Sequence, residues 1–161
     1  GYYNDVKATK EAFDGEWFHT GDLAKIDDEG YIFICGRKKS VIVLKNGKNI
    51  FPEEMENLVN KIEGVQESLI FGKQQTDDKE NIKINVQIVY DKEIIKNVYN
   101  VEKIEDINKV ILEKIKEINA QIPKYKAIRG MILTEEPLIK TTTNKIKRQA
   151  NLDRINANLQ K

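Results

Sequence analysis

One cysteine, one histidine and three prolines in 161 residues exclude several kinds of protein at the outset. Cys35 alone cannot close an intrachain disulfide, and with His19 as its only soft companion it cannot furnish a structural zinc cage. A reducing, cytoplasmic setting is the expectation. No apolar run approaches the roughly 18–20 residues that cross a bilayer, so no span is expected, while peripheral membrane association of a longer parent stays open. The opening Gly1-Tyr2-Tyr3-Asn4 has no signal-peptide pattern and no initiator Met, so the chain is expected to be a piece of a longer protein. An excess of one charge sign is missing too. Lys plus Arg number 27 against 26 for Asp plus Glu, a formal net charge of +1, which removes any global field for nucleic acid or an acidic membrane.

What is present is enough to fold. Apolar residues make up 40% of the chain and charged residues 33%, with no low-complexity tract or internal repeat, and this describes one soluble domain with an appendage. Leu23 to Ile26 and Tyr31 to Cys35 flank the polar turn Asp27-Asp28-Glu29-Gly30 and read as a β-hairpin. Val41 to Leu44 and Asn49 to Phe51 flank Asn46-Gly47, the dipeptide of tight primed turns, and read as a second. Pro52 followed by Glu53 and Glu54 opens a helix with Met55, Leu58, Val59 and Ile62 on one face, stopped by Gly64. Strands are expected at Ser68 to Phe71 and at Ile82 to Tyr90. The second alternates at period two, which describes a half-buried antiparallel strand, and the polar stretch Gln74 to Glu80 joins the two. Ile104, Ile107, Ile111, Ile115 and Ile118 mark a long amphipathic helix ending before Pro123. A strand at Arg129 to Leu133, a polar loop at Ile139 to Asn144 and a helix through Leu152, Ile155 and Leu159 complete the chain. The order implies an α+β fold, a small mixed or antiparallel sheet covered by helices and preceded by an N-terminal β-hairpin.

Three segments carry chemistry: Trp17-Phe18-His19-Thr20-Gly21-Asp22; Gly36-Arg37-Lys38-Lys39 with Asn46-Gly47-Lys48-Asn49-Ile50-Phe51-Pro52-Glu53-Glu54-Met55-Glu56; and Lys140-Thr141-Thr142-Thr143-Asn144-Lys145-Ile146-Lys147-Arg148. In this order and at these separations they resemble the C-terminal part of the adenylate-forming superfamily, which holds acyl-CoA synthetases, peptide-synthetase adenylation domains and luciferases. The NGKNIFPEEME wording is most similar to the long-chain fatty acyl-CoA synthetase branch. The resemblance implies that residues 1–38 are the C-terminal end of a large AMP-binding domain, hairpin and linker, and that 39–161 are a small swinging domain. The parent is then an acid–thiol ligase using ATP with Mg²⁺, CoA and a carboxylic acid. The Ser/Thr/Gly-rich phosphate loop is not in this sequence, so the fragment by itself is expected to be inactive and to need the N-terminal large domain as its partner. A homo-oligomer formed through the orphan hairpin is left open.

The same resemblance assigns roles. Asp22 falls at the ribose-binding position, where a carboxylate accepts bonds from both hydroxyls; read locally, it is a turn residue entering a strand. Arg37 falls at a nucleotide-contacting position suited to its fixed fork of donors, against the reading of a solvated arginine beside Lys38. Lys39 takes the hinge position. Gly47 and Lys48 fall in the loop lining the CoA arm, although the turn alone also asks for glycine. Lys145 takes the place of the adenylation lysine in a KTxTGKIxR pattern that Arg148 completes, with Asn144 where glycine is usual; Asn tolerates the left-handed region better than most residues. No metal site is expected in the chain itself.

Two alternatives remain at this point. One is an adenylation domain of the peptide-synthetase type, with a carrier-protein thiol in place of CoA. The other is a basic nucleic-acid module, because residues 121–148 hold Lys124, Lys126, Arg129, Lys140, Lys145, Lys147 and Arg148 against only Glu135 and Glu136. Only Tyr125 interrupts that basic run as a stacking aromatic, which argues against nucleic acid.

Overall fold

The computed structural model describes residues 1–74 and 82–159; of the stretch expected as a polar loop, residues 75–80 lie outside the described residues. Residues 1–41 and 42–161 form two compact units.

The first unit holds helix α1 (Val6–Ala12), strands β1 (Phe13–Asp14) and β2 (Trp17–Phe18), the hairpin β3 (Asp22–Ile26) and β4 (Ile32–Arg37), and a 3₁₀ turn at Lys38–Ser40. Asp5 caps α1 by accepting the Ala8 N–H at 2.8 Å. The β3–β4 hairpin forms as its alternation demands, antiparallel with Asp22 opposite Arg37 and a bulge between Leu23 and Ala24. Of residues 1–41 only Gly36 is buried. Ile26, Ile32, Phe33 and Ile34 remain exposed, Ile34 by 72%, so the unit carries apolar strands with no core of its own to receive them.

The second unit runs β5 (Ile42–Val43), β6 (Asn49–Ile50), α2 (Pro52–Val59), β7 (Val65–Gln74), β8 (Ile82–Tyr90), α3 (Lys92–Tyr99), α4 (Ile104–Gln121), a 3₁₀ turn at Lys124–Lys126, β9 (Ile128–Thr134) and α5 (Arg148–Leu159). Its main sheet has the order β7-β8-β9, antiparallel between β7 and β8 and parallel between β8 and β9. One face, with Ile70, Ile84, Val86 and Ile88, packs on Met55 and Val59 of α2, Ile95 of α3 and Ile107, Ile111 and Ile115 of α4. The other, with Leu69, Phe71 and Val89, packs on Ile155 of α5 and on Leu138 of the loop before it. Each fully buried isoleucine stabilises the unit by about 1.5–3 kcal/mol relative to exposure.

The expected α+β architecture is present, and three details differ from the sequence reading. Strand β8 is not half-buried, because helices cover both faces: Val86 to Tyr90 are all buried, Gln87 included. Nor is it purely antiparallel, since β9 runs beside it in parallel. The turn at Asn46-Gly47 is not primed. The Gly47 N–H donates to the Leu44 carbonyl at 2.8 Å and only Gly47 takes a positive φ, 75°, which is a type I turn ending in a left-handed residue. Among the described residues no helix is long and apolar enough to cross a membrane.

Candidate functional site

In the first unit, antiparallel pairing sets Asp22 against Arg37. Gly21, at φ 76°, turns the chain into β3, and the Asp22 N–H donates to Thr20 Oγ1 at 3.1 Å. Arg37 Nε pairs with Asp22 Oδ1 at 2.9 Å, and its Nη1 donates to the Thr20 carbonyl at 2.8 Å. Guanidinium has five N–H donors, and the protein occupies two of them here. An exposed pair of this kind adds little stability; what it does is fix a carboxylate and an arginine fork side by side. Both line an open concavity of about 1030 Å³, together with His19, Thr20 and the 3₁₀ turn holding Lys39. The predicted residues Asp22, Arg37 and Lys39 are therefore brought together.

The second unit places the other predicted residues on two turns of the same geometry. At Leu44–Lys48 the Leu44 N–H donates to the Lys48 carbonyl at 3.0 Å across the turn, and Asn46 Oδ1 accepts the Lys48 N–H at 3.1 Å. No atom lies within 4 Å of where a Gly47 Cβ would stand. Glycine is thus required by its backbone angle and not by crowding, and a side chain there would project into open space. The Lys48 ammonium lies 4.4 Å from the centre of the Tyr125 ring, a cation–π contact.

At Thr141–Lys145 the Thr141 N–H donates to the Lys145 carbonyl at 2.8 Å and the Asn144 N–H to the Thr141 carbonyl at 3.0 Å. Asn144 takes φ 62°, the left-handed conformation its place in the pattern calls for. Thr141 Oγ1 accepts the Lys145 N–H at 3.1 Å and shares a hydrogen bond with the Thr143 hydroxyl at 2.9 Å. Lys145 is exposed, and among the described residues its ammonium meets no carboxylate.

Several side chains brace this second turn, and of these the sequence reading singled out Arg148 but not Asn151. The Asn151 amide, fully buried, accepts the Ile139 N–H at 2.9 Å and donates to the Ile139 and Lys147 carbonyls at 3.0 and 2.9 Å, holding both ends of the loop. Lys140 pairs with Glu67 of β7. Arg148 Nη2 meets Glu56 Oε2 at 2.6 Å, while Glu56 Oε1 accepts the Ile70 N–H at 2.8 Å. Burial pushes the Glu56 carboxyl above its ordinary value, against the pull of the Arg148 guanidinium. Arg148 is therefore a clamp among α5, α2 and β7. A signal for Asn151 was there to read, since it lies one helical turn before Ile155 on the apolar stripe, where a polar residue needs a reason.

The two turns ride on opposite faces of the β7-β8-β9 sheet. Ile42, Leu44 and Ile50, flanking the Gly47 turn, pack into the α2–α4 face, whereas Leu138 and Ile146, flanking the Lys145 turn, pack into the α5 face. Among the described residues no three His, Cys, Asp or Glu side chains come together to hold a metal ion.

Residues 39–161 match the family of AMP-binding enzyme C-terminal domains. A stretch of 71 residues is 44% identical to a long-chain-fatty-acid–CoA ligase of Mycobacterium tuberculosis, covering 44% of this chain and 14% of that protein. A stretch of 72 residues is 39% identical to a 2-succinylbenzoate–CoA ligase of Oceanobacillus iheyensis, covering 45% and 15%. The ATP-bound crystal structure of MatB from Rhodopseudomonas palustris is similar at TM-score 0.69 and 25% identity, over 100% of this chain and 29% of that one. The chain thus spans less than a third of that structure, and its match to the curated ligases is a smaller part still.

Proposed function

The chain belongs to the family of AMP-binding enzyme C-terminal domains, and from that premise we propose that it is the end of an ATP-dependent carboxylate–CoA ligase with a fatty acid as its acid. Residues 1–38 close the large domain, and residues 39–161 form the small domain that moves over it. The large domain supplies the phosphate loop, the acid pocket and the surface that receives the apolar strands of β3 and β4. The protein works in the cytoplasm, with Mg²⁺ arriving on ATP. In the first half-reaction a carboxylate oxygen attacks the α-phosphorus of ATP and pyrophosphate leaves. In the second the CoA sulfur attacks the acyl carbon and AMP leaves.

The observation that supports this reading most is the placement of two hydrogen-bonded turns on opposite faces of one sheet, each ending in a lysine. Groups so placed cannot enter one cleft from the same orientation, and two half-reactions call for two different sets of groups. Lys145 serves the first step, where an ammonium stabilises the charge developing on the phosphoryl oxygens. The Gly47 turn, with Lys48, serves the second, its open φ-positive tip leaving room for a thiol arm. Asp22 accepts bonds from the ribose hydroxyls through the carboxylate oxygen that Arg37 leaves unused, Arg37 offers its remaining donors to the nucleotide, and Lys39 is the hinge about which the small domain turns. On this reading the isolated chain is inactive and binds ATP or CoA no more tightly than millimolar, because half a cleft buries little ligand.

The test measures the two half-reactions separately in the parent enzyme. Lys145→Ala is expected to slow acyl-AMP formation by about 10²–10³-fold while thioester formation from supplied acyl-AMP is nearly unchanged. Equal loss in both steps would make Lys145 a structural residue and overturn the assignment. No acyl-AMP from any fatty acid in the wild-type parent would overturn the choice of substrate.

A further inference from the structure

The segment that carries Lys145 is a closed hairpin. Below the turn at Thr141–Lys145, Lys140 bridges Ile146 in antiparallel fashion, and the Lys147 N–H donates to the Ile139 carbonyl at 2.9 Å. Ile139 and Lys147 are therefore its base, and the Asn151 side chain is fastened to both. Asn151 Oδ1 accepts the Ile139 N–H at 2.9 Å, and its Nδ2 donates to the Ile139 and Lys147 carbonyls at 3.0 and 2.9 Å. Arg154 Nη2 donates to the same Oδ1 at 3.1 Å and to the Pro137 carbonyl at 3.1 Å, while its Nη1 pairs with Glu136 at 2.7 Å. A side-chain amide offers two N–H donors and an oxygen that accepts two bonds. Asn151 is 0% exposed and has all of these engaged, three of them on the hairpin base.

That arrangement exceeds what packing asks for. Position 151 stands one helical turn before Ile155, which belongs to the apolar cluster on this face of the sheet. An aliphatic side chain there would continue the stripe without the cost of taking an amide out of water. Hydrogen bonds of a buried amide add little net stability, but they fix the groups they join. We propose that Asn151 is a positioning residue for acyl-AMP formation: it locks the base of the hairpin, Arg154 steadies its oxygen, and the locked base sets where Lys145 is presented. The inference rests on the ligase reading above. The Lys145 side chain is exposed, so its place is decided by the backbone beneath it, and a small displacement at a reacting centre is costly in rate. The Leu44–Lys48 turn packs on the other face of the sheet, so the thioester step should not feel a loosened hairpin.

The experiment follows the two half-reactions separately in the parent enzyme. Asn151→Leu, close to asparagine in size, is expected to slow acyl-AMP formation at saturating ATP by about 10–10²-fold, with thioester formation from supplied acyl-AMP nearly unchanged. Arg154→Met, which removes the support of Oδ1 and leaves Asn151 in place, should give the same split at a few-fold, and it carries the test if Asn151→Leu does not fold. A double-mutant cycle separates positioning from general loosening. With Lys145→Ala already present, either substitution should slow adenylation no further, because no ammonium is left to place. Hydrogen exchange across residues 139–147 should quicken in Asn151→Leu while β7 and β8 stay protected. Ile155→Val, which trims the same helix and keeps these bonds, should lower the urea midpoint and leave both half-reactions as they are. Unchanged adenylation, equal loss in both half-reactions, or losses that add in the cycle would each overturn the proposal and leave the ligase reading standing. A wild-type parent that forms no acyl-AMP would instead overturn the ligase reading, and this role with it.

Discussion

The turns Leu44–Lys48 and Thr141–Lys145 are built alike and surrounded differently. Each closes with the same pair of backbone hydrogen bonds, places its fourth residue in the left-handed region, and caps the N–H of the following lysine with a side-chain oxygen. Asp27–Tyr31 repeats the pattern with Gly30 and no lysine, so the geometry is a general hairpin device and carries no chemistry by itself. The difference lies in what touches each lysine. Lys48 is laid down on Tyr125, whereas Lys145 is left exposed at the tip of a loop that Asn151, Glu67 and Arg148 brace from below. A charge that must meet an external group is better held by its backbone than by its own side-chain contacts, which would have to be broken first.

The largest expected effect comes from removing a brace. Arg148→Met leaves the Glu56 carboxylate buried without its main counter-ion, and breaking a buried pair in this way commonly costs about 3–5 kcal/mol. The pH dependence has a definite sign. Burial holds the Glu56 carboxyl above its ordinary value, so its contribution to stability is fully present below the ordinary carboxylate range and is lost as pH rises through the folded-state value. Arg148 opposes that rise, and the variant should therefore lose more stability near neutral pH than in mild acid. Urea unfolding at the two pH values checks this, and adding Glu56→Gln to the variant should recover part of the loss. A pH-independent loss would mean that the clamp acts through packing alone.

Much of this organisation was legible in the sequence, and the parts that were not share a cause. Local chemistry could be read: Pro52 starts α2, the isoleucine spacing draws α4, and Asn144 takes the left-handed angle its place in the motif asks for. Partner choice could not. Asn85 and Gln87 made β8 look solvated on one face, yet α5, distant in sequence, lies over Gln87's side of the sheet; the parallel pairing of β9 is likewise a long-range choice. Helix α3 went unread although Asp91 caps it, accepting the Glu93 and Ile94 N–H groups at 3.0 and 3.1 Å, because eight residues give a weak periodic signal. Of the candidate site, the motif residues Asp22, Arg37, Gly47, Lys145 and Arg148 could be named in advance, and Asn151 left a trace as a polar residue on the apolar stripe of α5, but its bonds to Ile139 and Lys147 and the pairing of Arg148 with Glu56 could not be read without the packing around them.

A middle-sized effect separates the two left-handed positions. Leucine in that region costs roughly 1–2 kcal/mol from its Cβ. Gly47→Leu should show most of that cost, because nothing else changes around open space. Asn144→Leu should show less, since asparagine already carries a Cβ at φ 62°. Thermal unfolding of both variants decides the order, and a larger loss at Asn144 would mean that its side chain does more than tolerate the angle.

The smallest expected effect tests the comparison most directly. Lys48→Met keeps the apolar stem and removes the charge over Tyr125, a contact worth about 0.5–1 kcal/mol at an exposed site. Lys145→Met removes a charge that no carboxylate or ring engages among the described residues, so it should leave stability unchanged within the precision of chemical denaturation. Raising the salt concentration should reduce the Lys48 effect. It should do nothing to the Lys145 difference. Equal losses from the two substitutions would mean that Lys145 is engaged within the fold as Lys48 is, and the distinction between a docked lysine and a presented one would then fail.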